Sequence, residues 1–574
     1  MILQALTRHY EDLLALGAIS RPGWGIAKVS YGLELSDTGE VLSLLSLLQT
    51  QTRGKKNVVL AREMIVPMPV KRSSGVSPNF LCDNSGYLLG ADGKGKPKRT
   101  RECFDACKKL HLNLLGTAQS PAARAVVAFF EKWDPSCAAD HPALTERWEE
   151  LMKGVNLIFW YGDAPVSEDP EVRTLWQTHY DRKADGTAMR CLVTGERTVP
   201  QKVHPAVKGV QGAQSSGAAL VSFNAPSFCS YGHDFAPIGS YAAFAYTTAL
   251  NHLLADRDHV RCIGDTTVVC WAEGGQSAYQ DAGFAALYGG ADSIADRDLW
   301  SALDQLSQGN AIDWNETRLD PGTRFYVLGL APNAARLSVR FFWQNSFGML
   351  ARNVMRHYQD LEIERPSYDN RELLPLWELL RETVNKKARS PVPAEQMTGE
   401  VLLAVLSGGS YPATLIHGVT MRIRAEREIT RGRAAIIKAF YSRTQNTKLP
   451  KEVLEVKLND DTTYPPYVMG RLFSALEGLQ QSANPTINTT IKDRYFNAAA
   501  ATPALVFPTL INLAQKHLKK LEKGQKVYYD KQITELLGLI HETYPARLSL
   551  PDQGAFQLGY YHQTQKRFTK KEEK

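Results

Sequence analysis

The chain has 574 residues and a mass of 63.8 kDa, too long for one hydrophobic core and enough for roughly two to four domains. A hydrophobic fraction of 44%, a charged fraction of 22% and a mean hydropathy of −0.28 exclude a wholly disordered or fibrous chain. Lys and Arg number 67 against 60 Asp and Glu, and a net charge of +7 over this length argues for a nucleic-acid partner only where it is clustered.

The opening, Met1 to about Gly17, reads as an amphipathic helix with the stripe Leu3, Leu6, Tyr10, Leu13 and Leu14. Arg8, His9, Glu11 and Asp12 interrupt it, so it lacks the unbroken apolar core of a signal peptide. No apolar run is long enough to span a bilayer as a helix, and a cytoplasmic protein without membrane contact is expected. Short strands follow at Ile26–Tyr31, Val58–Ala61 and Glu63–Val66, separated by Gly- and Lys-rich turns. Cys103–Leu115 and Ala122–Trp133 read as helices, and strand and loop signals return from Leu157 to about Gly217. Tyr241–Leu254 is a helix of interleaved small and aromatic residues. Thr266–Trp271, Thr323–Leu330 and Ser338–Trp343 are strands.

Beyond Gly348 the pattern turns mostly helical. Ser390-Pro-Val-Pro393 is a stiff connector, because closely spaced prolines disfavour helix. The run from Asp460 to Pro466 is the sharper boundary. After it come the stripes Leu472, Leu476 and Leu479; Leu510, Leu513, His517 and Leu521; and Ile533, Leu536, Leu537 and Ile540. About four short helices satisfy one another as a bundle. The fold class is therefore α+β: a mixed α/β body over 1–345, a mostly helical connecting region over 346–460, and a helical bundle over 461–574. The charged tail from Lys566 is expected to fray.

The eight cysteines form no C-x-x-C pair, and no His stands at zinc-finger spacing from two of them. Cys103 and Cys107 share a helix face and read as buried thiols. No metal site and no cofactor is indicated. Gly90-Ala-Asp-Gly-Lys94-Gly-Lys96 continues with Pro97 where a P-loop needs Ser or Thr. Gln211–Gly217 does not have the spacing of a nucleophile elbow, and H-E-x-x-H is absent. His233-Asp234 is the one pair suggestive of a metal nuclease, and a two-metal centre needs several further ligands. A non-catalytic protein is expected.

Positive charge combines with backbone freedom in four places. Arg53, Lys55 and Lys56 flank Gly54. Lys71, Arg72, Ser73, Ser74 and Asn79 share a loop whose cations and hydroxyls can contact phosphates and reach base edges. Lys94 and Lys96 belong to a basic turn running to Arg101. In Met421–Arg443, Arg424, Arg427 and Arg431 fall on one face of a helix, unless Glu426 and Glu428 pair with them along it. Each of these also reads as an ordinary solvated surface. Lys208–Gly217, with Gln211, Gln214 and Ser215, reads first as a long surface loop, and otherwise as a flexible polar finger suited to wedge a duplex or read its minor groove.

QSSGAALVSFNAPSFCSYG (Gln214–Gly232) followed by YAAFAYTTALNHLL resembles the large subunit of the type I-C CRISPR Cascade surveillance complex. MILQALTRHY, NFLCDNSGYLLG (Asn79–Gly90), GLAPNAARLSVRFF (Gly329–Phe342), TIKDRYFNAAAATPA (Thr490–Ala504) and LGYYHQTQ (Leu558–Gln565) agree in order, so the resemblance runs nearly end to end. It implies a subunit near the 5′ end of a guide RNA. Such a subunit recognises the protospacer-adjacent motif in duplex DNA, promotes strand opening and R-loop formation, and helps recruit a separate helicase-nuclease. The implied partners are guide RNA, target DNA, that nuclease, and the backbone, RNA-end-binding and small subunits. The resemblance further implies that the C-terminal region is made separately as the small subunit, beginning near Tyr467 with Met469 as a possible start. Lys519 and Lys520, among other lysines of that region, are then placed to follow a strand backbone. Two competing readings remain: a metal-dependent nuclease, and a scaffold that never reads DNA.

Overall fold

The computed structural model describes residues 1–53, 56–70, 72, 75–181, 186–223, 235–288, 295–389, 391–445, 447–541 and 543–568, with side chains described outside 51–58 and 289–297. Strands concentrate in the N-terminal half and helices in the C-terminal half, the α+β arrangement expected. The described residues group into two compact units. One holds residues 3–205 and 222–249, the other residues 206–221 and 250–568.

In the first unit the helix Ile2–Ala15 buries Leu6, Tyr10 and Leu13 as its stripe requires, against Ala245 and Ala249 of the helix Ser240–Ala255. Lys56–Pro67 is one long strand, where the sequence suggested two. It pairs along its first half with Leu48–Arg53 and along its second with Trp24–Val29. A second sheet runs Val41–Ser46, Tyr31–Leu35, Asn156–Tyr161, Cys82–Asn84, and its central pair is parallel. Against it pack the helices Pro97–Leu115 and Pro121–Lys132 through a cluster of aromatic rings. Phe129 meets Phe159 with centroids 5.3 Å apart, and Phe80 stacks on Trp176 at 5.2 Å. Trp176 lies on the helix Pro170–Asp181, inside the stretch expected to hold only strands and loops. Few apolar residues mark that helix, and its buried contacts are only Val172 and Trp176. Gly39 has a positive φ of 78° in the turn Ser36–Glu40, and a Cβ there would overlap the backbone of Phe129.

His111 ties this core to the loop above it. It is fully buried; its Nδ1–H donates to the Cys107 carbonyl at 2.8 Å, and its Nε2 accepts the Leu81 N–H at 2.8 Å. Both ring nitrogens are satisfied only in the neutral form, and burial lowers its pKa to about 4.

The second unit begins with an antiparallel sheet ordered Arg261–Ile263, Thr266–Ala272, Arg324–Asn333, Arg336–Ser346. The register shifts between Gly329 and Leu330, where Phe341 lies over Gly329 and leaves no room for a side chain. Helices Ser277–Tyr288 and Phe347–Leu361 pack on the sheet, and Ala295–Ser307 packs on Phe347–Leu361. One continuous apolar core runs from Ile263 to Tyr561.

The helices Pro465–Ala483 and Leu550–Phe568 form the closest helix pair of this unit. A Cβ at Gly470 would overlap the Phe556 carbonyl, and one at Gly559 would overlap that of Tyr467. With the backbones so near, a buried polar strip fixes the register. Tyr560 donates to Glu477 at 2.6 Å, the Tyr467 hydroxyl meets His562 Nδ1 at 2.8 Å, and Arg471 donates to Gln563 at 3.2 Å. Pro465 and Pro466 occupy the first turn of their helix, where a missing N–H does no harm. Ile491–Ala501, Pro503–Leu518 and Lys523–Gly538 complete a set of five helices after residue 460, where about four were expected. Leu521 lies past the end of its helix, so that stripe is shorter than it reads.

Buried imidazole and close helix packing each make a testable demand on stability. His111 is neutral when folded and has a depressed pKa, so its contribution is fully present above pH 6.5 and is lost as pH falls through about 4. Selective 15N labelling should show a neutral Nδ1–H imidazole at pH 5.5, and an imidazolium at that pH would refute the assignment. Gly559→Ala should destabilise the chain by about 1–3 kcal/mol or more in denaturant titration, because the added methyl meets backbone. Gly524→Ala, facing open space, should be neutral or stabilise by up to about 1 kcal/mol.

Candidate nucleic-acid interface

The most distinctive polar site of the first unit is built on the turn that enters Cys82–Asn84. Leu81 sits at φ 61°, and the Cys82 N–H bonds back to the Phe80 carbonyl at 2.8 Å, which closes a three-residue γ-turn. The turn delivers Asp83, whose side chain is 1% exposed, under the preceding loop. Each carboxylate oxygen accepts two hydrogen bonds. Oδ1 takes Arg72 Nη1 at 2.9 Å and the Asn84 N–H at 2.8 Å; Oδ2 takes Arg72 Nη2 and the Asn79 N–H at 2.9 Å.

Arg72 makes the reciprocal set. Its fork grips Asp83, its Nε donates to the Ser77 carbonyl at 2.6 Å, and its guanidinium lies 4.0 Å from the centroid of Tyr87. The Tyr87 hydroxyl in turn accepts the Ser77 N–H at 3.3 Å. Asn79 uses its side-chain oxygen to accept the Val70 N–H at 2.9 Å. Arg72 and Asn79, expected to reach bases, are engaged within the protein in this structure. Asp83 is a buried carboxylate in need of a cation, and it draws Arg72 inward.

Beside this loop lies a cleft of about 660 Å³ with a basic rim. Lys94 and Lys96 are exposed on it with no partner for either ammonium group among the described residues, and Asp92, which also lines it, accepts the Lys94 N–H at 3.1 Å. The basic stretch to Arg101 is turn only as far as Lys96. Pro97, with its fixed φ, starts the helix Pro97–Leu115 and carries Lys98, Arg99 and Arg101 into its first turns. Arg99 reaches across the cleft and donates to the Gly75 carbonyl at 2.8 Å. Among the described residues no side chain caps this helix, and its first turn, with the positive end of the helix dipole, lies at the cleft. The cleft thus offers two free ammonium groups, a guanidinium and a helix start, a set suited to phosphate oxygens. Asp83 and Tyr87, which shape it, carry no local motif; Asp83 would have been found only by asking what neutralises a cation in that loop.

The other candidate residues fall elsewhere. Arg53 stands opposite Lys56 at the end of a hairpin, with both side chains outside the described set. Lys55, Lys71, Ser73, Ser74, His233 and Asp234 lie outside the described residues. In the second unit, Lys208–Gly217 is a surface loop held at both ends and not a free finger. Val207 bridges Ala218, the Lys208 N–H donates to Asn251 at 2.7 Å, and the Gln211 N–H donates to Thr267 at 3.1 Å. Gln211, Gln214 and Ser215 remain exposed on it.

Arg424, Arg427 and Arg431 do not share a helix face. The helix Ala413–Glu426 ends where Arg427 turns left-handed at φ 55°, and Thr430 caps a new helix, Arg431–Arg443. Arg431 is buried, donating to Asp369 at 3.1 Å and to the carbonyls of Arg371 and Glu372. Arg433 pairs with Glu382 and Glu426, Arg443 with Asp360, and Lys438 with the carbonyls of Gln359 and Asp360. These cations serve the interior. Arg424 is exposed and donates to Gln553 at 2.9 Å. Lys519 and Lys520 are exposed just after Pro503–Leu518, and Lys520 contacts Asn484 at 3.0 Å.

No group of three His, Cys, Asp or Glu among the described residues is placed to hold a metal, and no described helix is long and apolar enough to cross a membrane. No curated protein matches the chain. The model of the family described as CRISPR-associated protein (Cas_Csd1) matches residues 6–568, nearly the whole sequence, and the chain belongs to that CRISPR-associated family.

Proposed function

We propose that this protein is the large, non-catalytic subunit of an RNA-guided surveillance complex. It recognises the short motif beside the target in duplex DNA, promotes strand opening and R-loop formation, and helps recruit a helicase-nuclease. Family membership supports a component of a Cascade-type assembly, with guide RNA and the backbone, RNA-end-binding and small subunits as partners. The observation that carries the DNA-binding part is the basic cleft of Lys94, Lys96 and Arg99 at the start of Pro97–Leu115. Phosphate contacts of this kind orient a duplex, while pairing with guide RNA reads the long sequence. Base readout then belongs to the loop beside the cleft and to exposed groups such as Gln211, Gln214 and Ser215. Lys519 and Lys520 suit the backbone of a separated strand.

The test is a mobility shift with the assembled complex on guide-matched duplexes that differ only in the flanking base pairs. Wild type should prefer one set of flanks. Lys94→Ala/Lys96→Ala should weaken binding to every flank by at least about tenfold, and should lower the slope of log affinity against log salt by about 0.9 for each phosphate no longer neutralised. Equal affinity for all flanks in the wild type would leave a scaffold, and divalent-metal-dependent cleavage by the purified chain would leave a nuclease.

A further inference from the structure

Arg72 looks from the sequence like a DNA contact, and its surroundings assign it another task. Three of its five N–H donors are committed within the protein, and one face of its guanidinium is covered by Tyr87. The side chain is 24% exposed, and its partner carboxylate is saturated with four hydrogen bonds. Three polar groups of the loop converge on this anchor, and a fourth is held from the other side of the cleft. The Asn79 N–H goes to Asp83, the Ser77 carbonyl to Arg72, the Ser77 N–H to Tyr87, and the Gly75 carbonyl to Arg99 across the cleft. The anchor rests on the γ-turn at Leu81, a left-handed conformation that a leucine keeps only where its surroundings impose it. Those surroundings are visible: the Leu81 N–H donates to buried His111, and its carbonyl accepts the Phe159 N–H at 3.3 Å.

We propose that the Arg72–Asp83 pair is a positioning latch: Arg72 fixes residues 75–79 against the rim of the cleft without touching nucleic acid, and so sets which flanking base pairs the cleft accepts. The proposal rests on the DNA-recognition reading above, and it is separable from it by experiment. The latch acts on the loop whether or not DNA is bound. A contact role and a positioning role also respond oppositely when Asp83 is neutralised. If Arg72 were a phosphate ligand restrained by Asp83, releasing it would strengthen binding; if it is a latch, releasing it frees the loop and blurs selection.

Two measurements decide the matter on Arg72→Lys, which keeps the charge and loses the fork, and Asp83→Asn, which keeps the shape and loses the charge. Hydrogen exchange on the full chain without DNA should show the amides of Ser77 and Asn79 exchanging at least about tenfold faster in both variants, with amides of the helix Pro121–Lys132 unchanged as a folding control. Unchanged protection at Ser77 and Asn79 overturns the latch. In the assembled complex, both variants should lose most of the preference among flanks while the salt slope stays at the wild-type value. Tighter binding by Asp83→Asn, together with a slope lower by about 0.9 in Arg72→Ala, would make Arg72 a phosphate contact and overturn the proposal. If the wild-type complex shows no flank preference, the DNA-recognition reading fails, and hydrogen exchange still judges the latch.

Discussion

A carboxylate cannot be left without partners in a protein interior, and Asp83 is almost wholly buried. Meeting that constraint organises the N-terminal site. The carboxylate takes the Arg72 guanidinium, which Tyr87 covers, and two backbone amides, and through Arg72 and the Asn79 amide it holds the loop that carries them. The cleft exists because the loop is pinned on one side and the helix from Pro97 begins on the other. Asp83 is paired with Arg72, and the ammonium groups of Lys94 and Lys96 have no partner among the described residues. A hydrogen-bonded wall with exposed cations on its edge suits a backbone whose phosphates are regularly spaced and whose sequence varies.

The same rule, working in reverse, accounts for the cations of Arg431–Arg443. Arg431 reads as part of a nucleic-acid surface, yet it and the other three cations of this helix, Arg433, Lys438 and Arg443, turn inward to carboxylates or carbonyls of neighbouring segments. Arg433 is 1% exposed and sits between Glu382 and Glu426. Removing one partner of such a pair strands the other, so these contacts fix how the surrounding helices pack more than they add net stability. The exposed lysines after Pro503–Leu518 form the complementary case, where charge stays in water and is available to a partner.

Close helix packing is the second organising device. Gly470 and Gly559 let two long helices approach until backbone meets backbone, and the polar strip of Glu477, Tyr560, Tyr467 and His562 then permits one register only. The His562 pKa is pushed down to about 4 by burial, so this strip, like His111, is built on neutral imidazole. Both places are paired at neutral pH and are weakened by acid, the sign expected when the unfolded chain binds more protons.

Local pattern alone settles the α+β class, helices with strong stripes such as Ile2–Ala15, whose burial is periodic, and the strands Thr266–Ala272 and Arg324–Asn333, whose short continuous apolar runs are buried almost throughout. It also locates the basic turn at Lys94 and Lys96 and, through long shared blocks, the family. It fails for whatever depends on distant partners. Val58–Ala61 and Glu63–Val66 merge because one neighbour or the other pairs along the whole strand, and Pro170–Asp181 is held by Val172 and Trp176 packing into the aromatic core. Whether an arginine faces water or the interior is not written in its own neighbourhood. Arg72 and Arg431 turn inward, and Lys94 and Lys96 stay out, because only the folded chain brings a buried carboxylate or carbonyl to the first pair and none to the second. That choice is made by the cost of burying unpaired charge, a property of the tertiary structure alone.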